Sequence, residues 1–346
     1  MTINVGVIGL GMGRHHAKQY EASPLANLVA LCDTDERRLE EYRALYPRAK
    51  TYSSCEDMFA AGGLDAVSIA LPNYLHDTVT IAALGAGLHV LCEKPMALNA
   101  PRAEAMLEAA RAAGKQLMIH FNYRYQPASQ WLKRYVDEGH LGPVYYARTR
   151  WLRASGVPKP GGWFGVKEFS GGGPVIDLGV HRLDLALWLM GYPRAVTVSA
   201  STFDLVGKRF AEGLGVRYDV EDLASALIRL DNGATLSMEA SWVGGTDRRE
   251  DMLTEIYGVQ GAAIHRNLNE GYEFEALALQ DSAGTLTQVS PRRYPAACPS
   301  AVEDFVRCLH DDCPVEACAE HGLALMRIID AIYRSAAERC EVRLDG

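Results

Sequence analysis

Three polar side chains interrupt an otherwise apolar stretch that is predicted to form a helix from Pro174 to Met190. Asp177, His181 and Asp184 stand at positions i, i+4 and i+7, so a helix places them on one face. An acid or imidazole that is buried without a partner or water costs several kcal/mol. One interpretation is that this face lines a cleft, where a carboxylate one turn from an imidazole can transfer protons. The alternative is a His–Asp pair that only braces the interior.

A glycine-rich turn follows the first predicted strand and opens a predicted helix. Gly9, Gly11 and Gly13 let the backbone turn sharply and approach a pyrophosphate, which the helix N-terminus stabilises. Dinucleotide sites usually have their third glycine one residue later, where this chain has Arg14, so we expect a tighter turn. The segment, with Met12 and Arg14, predicts contact with a dinucleotide.

Asp33 ends the second predicted strand, Leu28–Cys32, where a carboxylate can bind the 2′-hydroxyl of an adenine ribose. Such a carboxylate repels a 2′-phosphate and favours NAD over NADP. Arg37 and Arg38 follow closely and weaken that preference, so NADP stays open as a cofactor. Asp33 and Arg38 are predicted cofactor contacts; the alternative is an acidic turn residue in solvent.

Two further predicted strands end in polar segments, 71–76 and 92–95. Ligands of open α/β sheets bind at the carboxyl ends of the strands, so both segments are expected to line the cofactor crevice. The residues predicted to contact the cofactor there are Leu71, Pro72, Asn73, His76, Glu93 and Lys94. The alternatives are a helix-start cap for His76 and a surface ion pair for Glu93 and Lys94.

The order of predicted elements divides the chain into two domains, 1–121 and 122–346. In the first, short strands alternate with helices, which predicts a doubly wound, Rossmann-type parallel sheet. Its predicted strands are Ile3–Ile8, Leu28–Cys32, Ala66–Ala70, His89–Cys92 and Leu117–Phe121. Long alternating runs after a helix near 127–138 predict an α+β domain on a large, mostly antiparallel open sheet. The runs are Val144–Leu152, Val196–Thr202, Leu223–Leu230 and Ala234–Trp242, and C-terminal helices within 301–338 are expected to pack on the body.

Composition excludes several classes of partner. The 346 residues include 35 basic and 43 acidic ones, a net charge of −8, which argues against a nucleic-acid surface. No apolar run reaches membrane-spanning length and no secretory leader is recognised, so we expect a cytoplasmic protein that binds no membrane. The eight cysteines form no CxxC pair and the histidines show no metal spacing, so free thiols and no metal are expected.

Four segments together resemble the Gfo/Idh/MocA oxidoreductases, which include glucose–fructose oxidoreductase and inositol dehydrogenase. They are residues 9–16, residues 70–76, the triplet Glu93-Lys94-Pro95, and residues 171–181 with the element Asp177-x-x-x-His181. The resemblance runs almost end to end, and the triplet and the Asp-x-x-x-His element are its specific parts. The glycine turn departs from the family pattern by the shift of its third glycine.

The resemblance implies that Lys94, Asp177 and His181 face the nicotinamide of a bound NAD and carry the chemistry. A hydride leaves a secondary alcohol carbon for nicotinamide C4, while the hydroxyl proton passes to a base. Histidine changes charge near neutral pH, which suits His181 to that role. Lys94 can donate to the alcohol oxygen. Asp177 can anchor a neighbouring substrate hydroxyl and orient His181.

The resemblance also places Asn122 near the cofactor, and Tyr123 and Arg124 near the substrate. Trp163 and Phe164 can cover a sugar face and exclude water from the hydride path; the alternative is packing within their loop. Many proteins of this family assemble through the open sheet, which implies a homodimer or homotetramer.

Three functions remain as hypotheses. The first is an NAD(P)-dependent dehydrogenase that acts on a ring hydroxyl of a sugar, anhydrosugar or inositol-type polyol. The second is an NAD-dependent glycosidase that oxidises its substrate transiently. The third is a dinucleotide-binding regulator without turnover, which ordinarily lacks part of the set Lys94, Asp177 and His181. This chain has all three residues, so the dehydrogenase leads.

Overall fold

The computed structural model describes residues 2–158, 161–282, 284–294 and 299–344. The chain divides into two compact units. Unit 1 comprises Met1–Phe121 and Pro299–Leu323, and unit 2 comprises Asn122–Cys298 and Ala324–Gly346. Each unit is built on its own sheet.

Unit 1 contains a parallel sheet of six described strands, which confirms the predicted fold class. The strands are β1 Ile3–Ile8, β2 Ala26–Cys32, β3 Lys50–Tyr52, β4 Ala66–Ile69, β5 His89–Cys92 and β6 Leu117–Ile119, in the order β3-β2-β1-β4-β5-β6. The helices are α1 Gly13–Ala22, α2 Glu36–Leu45, α3 Cys55–Ala60, α4 His76–Gly85 and α5 Ala100–Ala113. The order changes direction between β1 and β4, which is where open sheets of this type bind ligands. The sequence missed β3, because three residues are too few to show a period.

Unit 2 contains a sheet of nine described strands. They are β7 Val144–Arg153, β8 Ala195–Phe203, β9 Leu223–Leu230, β10 Thr235–Ser241, β11 Glu250–Gly258, β12 Gly261–Leu268, β13 Glu273–Ser282, β14 Thr285–Val289 and β15 Val342–Arg343, in the order β14-β13-β12-β11-β7-β10-β9-β8-β15. The helices are α6 Pro127–Asp137, α7 Lys167–Ser170, α8 Val180–Leu189 and α9 Leu205–Leu214. Among the described pairings, β7 with β10 is parallel and the others are antiparallel, which confirms the mostly antiparallel sheet. The sequence missed β11 because most of its residues are buried, which removes the alternating pattern.

The C-terminal helices are α10, Ala301–His310, and α11, Ala319–Glu338. Helix α10 packs on α1 and β1, and α11 begins in unit 1 and continues in unit 2. The predicted division assigned all of 122–346 to the second domain, whereas residues 299–323 belong to unit 1. The physical reason is that Phe305 and Val306 of α10 are buried with unit 1, a return of the chain that the order of elements cannot show.

The predicted helix from Pro174 to Met190 forms in two parts. Val175–Gly179 makes a π-helical turn, and α8 continues directly from it. Every residue of α8 is buried, which confirms the interior position that its apolar sequence predicts. Because π-helical turns inside helices occur frequently at functional sites, the turn that carries Asp177 is a structural pointer to the site.

Two sequence predictions concern thiols and membranes. The seven described cysteines are free thiols, as predicted, and Cys298 lies outside the described residues. No helix in the described ranges combines the length and apolar composition that crossing a bilayer requires.

Candidate active site

The glycine turn after β1 is packed so closely that it needs glycine at two positions. Gly9 has φ +87°, and a Cβ there would lie 2.5 Å from the carbonyl oxygen of Ala70. At Gly13, the first residue of α1, a Cβ would lie 2.7 Å from Val7 Cγ1. Glycine is therefore required at both positions, and the turn leads directly into the N-terminus of α1, the kind of helix end that stabilises a pyrophosphate.

The other predicted cofactor contacts at this turn and at the ends of β4 and β5 differ in their exposure to solvent. Gly11, Met12 and Arg14 are exposed, and Arg14 Nε donates to His15 Nε2 at 3.1 Å. Leu71, Pro72 and Lys94 are half-buried at the strand ends, and Asn73 is buried. Their contacts with a cofactor remain predictions.

Asp33 closes the same turn from the end of β2. Its Oδ2 accepts hydrogen bonds from Leu10 N and Arg38 Nη1, both at 2.8 Å, and its Oδ1 accepts one from Asp35 N at 3.0 Å. Burial raises the pKa of Asp33, but these hydrogen bonds outweigh burial and lower it, so the carboxylate stays ionised. Asp33 is thus not a solvated turn residue, since Arg38 and two backbone N–H groups already contact its carboxylate, and its contact with a ribose stays a prediction.

His76 joins the loops that follow β4 and β5. Its Nδ1 lies 2.7 Å from Pro95 O and its Nε2 lies 2.8 Å from Leu71 O. The side chain is fully buried, and burial lowers its pKa although the two carbonyls oppose this shift. Both the predicted cofactor contact and the helix-cap alternative are corrected by this geometry, because both ring nitrogens face backbone carbonyls.

Glu93 lies in a cluster with His16 and His120 rather than in a surface ion pair. Its Oε1 is 3.0 Å from His16 Nε2 and 2.9 Å from His120 Nδ1. Sequence spacing missed this cluster because its members come from three distant segments. One carboxylate oxygen of Glu93 serves both histidine rings, and the cofactor contact of Glu93 stays a prediction.

The same cluster has the donor types of a metal site. The three donor atoms lie within 4.8 Å of one another, and two imidazoles with one carboxylate form a zinc ligand set in other proteins. A metal-bound histidine, however, donates its second N–H to a partner. His16 Nδ1 is buried and has none in the part of the chain that the structure describes. We therefore interpret the cluster as the Glu93 carboxylate hydrogen-bonded by two histidines, and we assign no metal to it.

Asp177 and His181 lie on the π-helical turn and the first turn of α8. Asp177 is half-buried, and its Oδ2 accepts a hydrogen bond from Trp242 Nε1 at 3.0 Å. His181 is 9% exposed; its ring packs edge-on against Tyr123, with centroids 4.9 Å apart, and is tilted against Trp151 at 5.7 Å. The aromatic neighbours hold both side chains, and a carboxylate and an imidazole one helical turn apart are groups that can transfer protons to a ligand.

Glu221 fixes the start of this helix, although the sequence did not point to it. Its carboxylate accepts hydrogen bonds from Gly173 N at 2.9 Å, Val175 N at 3.0 Å and Tyr333 OH at 3.0 Å. Burial raises the pKa of Glu221, and the two backbone N–H groups at the helix N-terminus oppose this shift by stabilising the charged form. A Cβ on Gly173 would lie 2.0 Å from Glu221 O, and one on Gly172 would lie 1.9 Å from the Tyr333 hydroxyl. The run of glycines is the sequence signal for this close packing.

Arg182, the residue after His181, is a buried cation held by aromatic rings. Its Cζ lies 4.4 Å from the ring centroid of Tyr123, 5.4 Å from that of Phe274 and 5.7 Å from that of Trp151. Burial lowers the pKa of Arg182 to about 10. The rings stabilise the guanidinium by cation–π contact. Tyr123, predicted to bind substrate, is itself buried and packs against both Arg182 and His181.

Arg124 is fully buried, which corrects two predictions. Its Nε donates to Asp184 Oδ2 at 2.9 Å and its Nη2 to Asp184 Oδ1 at 2.5 Å, and Tyr192 OH donates to the same Oδ1 at 3.0 Å. A bidentate ion pair without exposed surface is a structural contact. Arg124 is therefore not placed to bind substrate, and Asp184 does not share an open face with Asp177 and His181.

Trp163 and Phe164 stack on each other, with ring centroids 4.0 Å apart and planes inclined by 23°. Both are half-buried, and Phe164 packs against the core cluster that includes Tyr123 and Trp242. The structure shows the packing contact of the alternative interpretation, and cover of a substrate by Trp163 stays a prediction. Asn122 is exposed at the first residue of a 3₁₀ turn.

Both units match known proteins. Residues 3–121 match the family model of the oxidoreductase family with NAD-binding Rossmann fold, and residues 129–264 match the GFO/IDH/MocA C-terminal domain. The chain belongs to the GFO/IDH/MocA oxidoreductase family. It is therefore an NAD-binding oxidoreductase, as the glycine turn and Asp33 predict.

Relatives of this GFO/IDH/MocA protein include sugar and polyol dehydrogenases. The D-glucoside 3-dehydrogenase of Escherichia coli (strain K12) is 32% identical over an alignment that covers 99% of this chain and 97% of that protein. The inositol 2-dehydrogenase of Rhizobium meliloti (strain 1021) is 27% identical, with 99% and 100% covered. A solved structure of levoglucosan dehydrogenase in complex with NADH is similar with a TM-score of 0.87 at 26% identity, and the whole of both chains is covered. The likeness thus extends over both units.

Proposed function

We propose that this protein is an NAD-dependent dehydrogenase that oxidises a ring secondary alcohol of a sugar, anhydrosugar or inositol-type polyol. The observation that carries the proposal is the half-buried Asp177 and the nearly buried His181, one helical turn apart and held by aromatic rings in an NAD-binding oxidoreductase. The relatives support a polyhydroxylated ring as substrate, because they are named glucoside, inositol and levoglucosan dehydrogenases.

The proposal gives each side chain one role. A bound NAD supplies the acceptor for the hydride at nicotinamide C4. His181 takes the hydroxyl proton as the alcohol becomes a carbonyl, and Lys94 donates to the oxygen as negative charge develops on it. Asp177, fixed by Trp242 Nε1, holds a neighbouring substrate hydroxyl. The proposal requires Lys94, Asp177 and His181 to act on the same alcohol during turnover.

A substrate screen tests the proposal. Purified protein with NAD is offered methyl glucosides, levoglucosan, free aldoses and inositols, and NADH absorbance is followed. We expect at least one ring polyol to be oxidised, and its analogue without the reacting hydroxyl to be inert as the matched control. Protein that binds NADH but oxidises no member of the panel contradicts the proposal. Release of an aglycone without accumulation of NADH supports the glycosidase instead.

Asp33 is proposed to set a preference for NAD over NADP. Replacing it with serine is expected to lower kcat/KM for NAD by about tenfold and to raise kcat/KM for NADP, because the ionised carboxylate is lost and Arg38 is released for a 2′-phosphate. Steady-state kinetics with both cofactors measure the change. Asp35→Ser is the matched control, since Asp35 is exposed and serine also caps α2. Equal losses with both cofactors show that Asp33 serves only to fold the turn.

We also propose a cytoplasmic homodimer or homotetramer that forms through the sheet of unit 2. Along β9, Ala226 and Ile228 are buried whereas Leu227 and Arg229 are exposed, so one face of the strand lacks a covering layer within the described residues. Light scattering at assay concentration measures the mass, and a monomer contradicts the proposal.

A further inference from the structure

The carboxylate of Glu93 connects three elements of unit 1. Its Oε1 contacts His16 Nε2 of α1 at 3.0 Å and His120 Nδ1, just after β6, at 2.9 Å. Its Oε2 accepts a hydrogen bond from the backbone N–H of Lys94 at 3.2 Å. One side chain at the end of β5 therefore joins the helix of the glycine turn, the end of β6 and the backbone that carries Lys94.

The charges of this cluster suit a fixed carboxylate. Burial raises the pKa of Glu93, but His120 and His16 outweigh burial and hold it well below the usual range, so Glu93 is ionised. An ionised carboxylate can only accept hydrogen bonds, so both histidines donate to it. His16 is almost fully buried, and burial lowers its pKa, so it donates as a neutral ring.

The backbone on the C-terminal side of Lys94 is also held by a hydrogen-bonding contact. Pro95 O, one residue further on, lies 2.7 Å from Nδ1 of the fully buried His76. The Glu93 carboxylate thus holds the backbone N–H of Lys94, and His76 holds the carbonyl of the next residue, Pro95. A backbone held at both ends fixes the point from which the half-buried side chain of Lys94 extends.

We propose that Glu93, held by His16 and His120, is a positioning residue that aims the ammonium group of Lys94 at the substrate oxygen. This inference rests on the proposed function, because it acts through Lys94. An amide in place of the carboxylate accepts a hydrogen bond through its oxygen but presents an N–H donor on its other side. Glu93→Gln therefore keeps the shape of the side chain and breaks part of its hydrogen bonding.

A double-mutant cycle tests the proposal. We expect Glu93→Gln to lower kcat by about 10- to 100-fold, because a displaced catalytic group costs about that much, with KM for NAD changed less than about threefold. In a Lys94→Ala background, the same Glu93→Gln change is expected to cost less than about threefold in kcat, because the group it positions is gone. Glu21→Gln is the matched control and is expected to leave kcat unchanged, since Glu21 pairs with Arg48 on the surface of the same unit.

A second pair of variants keeps the test decisive if Glu93→Gln lowers the melting temperature. His120→Asn retains an N–H donor at the position of Nδ1, which faces Glu93, whereas His120→Leu removes it. We expect kcat of the asparagine variant to stay within about threefold of wild type and that of the leucine variant to fall about tenfold, with no such fall in the Lys94→Ala background. If Glu93→Gln and His120→Leu each lower kcat by the same factor with and without Lys94, the effects are additive and the positioning role is overturned. If Lys94→Ala alone leaves kcat unchanged, the proposed mechanism fails first, and the two failures are distinguishable.

Discussion

Replacing Lys94 with alanine is expected to lower kcat by about 10²- to 10³-fold, because removal of one preorganised donor to a developing oxyanion costs that much. Binding of NADH, followed by its fluorescence, is expected to change by less than about threefold, since the proposed phosphate and ribose contacts lie at the glycine turn and Asp33. A fall in kcat without loss of cofactor binding identifies an interaction made in the transition state.

The control for this prediction is Lys94→Arg, which keeps a cation but changes its shape and reach. We expect it to recover only part of the lost kcat, because a planar guanidinium does not place a donor where the compact ammonium group of lysine does. Turnover of Lys94→Ala at the wild-type rate contradicts the assignment of Lys94 as the donor to the alcohol oxygen.

Replacing His181 with asparagine is expected to lower kcat for alcohol oxidation by about 10²- to 10⁴-fold, the usual contribution of a general base. With His181 as the proposed base, oxidation is expected to require a neutral imidazole, so kcat/KM of the wild type is expected to fall toward acid pH. In His181→Asn this acid limb disappears, because asparagine does not titrate. For reduction of the carbonyl the sign reverses, since the protonated ring is then the donor.

A matched histidine is available for comparison. His140 also packs against an aromatic ring, that of Tyr135, and pairs with Glu138 at the surface. His140→Asn is expected to leave both kcat and the pH profile unchanged. A His181→Asn variant that keeps the acid limb and loses only stability assigns the imidazole to packing against Tyr123 and Trp151.

The features that the sequence predicted correctly depend on local physics. Gly9 and Gly13 stand at a strand–helix turn where a Cβ collides with Ala70 O or Val7. The spacing of these glycines is therefore enough to predict the turn. The strands β1 and β5 were predicted with their observed ends, because short apolar runs between turn residues are typical of a buried parallel sheet. Free thiols followed from spacing as well.

The features that the sequence missed depend on partners far away in the chain. The helical period correctly placed Asp177, His181 and Asp184 on one helix, but it could not show that Asp184 pairs with Arg124, 60 residues earlier. The contact between Glu93 and His16 spans 77 positions. Such contacts arise from the register of neighbouring strands and helices, which no local pattern encodes.

The glycines before α8 also bear on protein engineering. Gly172 and Gly173 leave no space for a methyl group beside Tyr333 and Glu221, so we expect a side chain introduced at either position to disturb the start of the helix. Trp163 is a better position for mutation, because its half-buried ring stacks on Phe164 and no glycine-tight contact depends on it. A library confined to such half-buried positions is expected to leave the contacts of Asp177 and His181 intact.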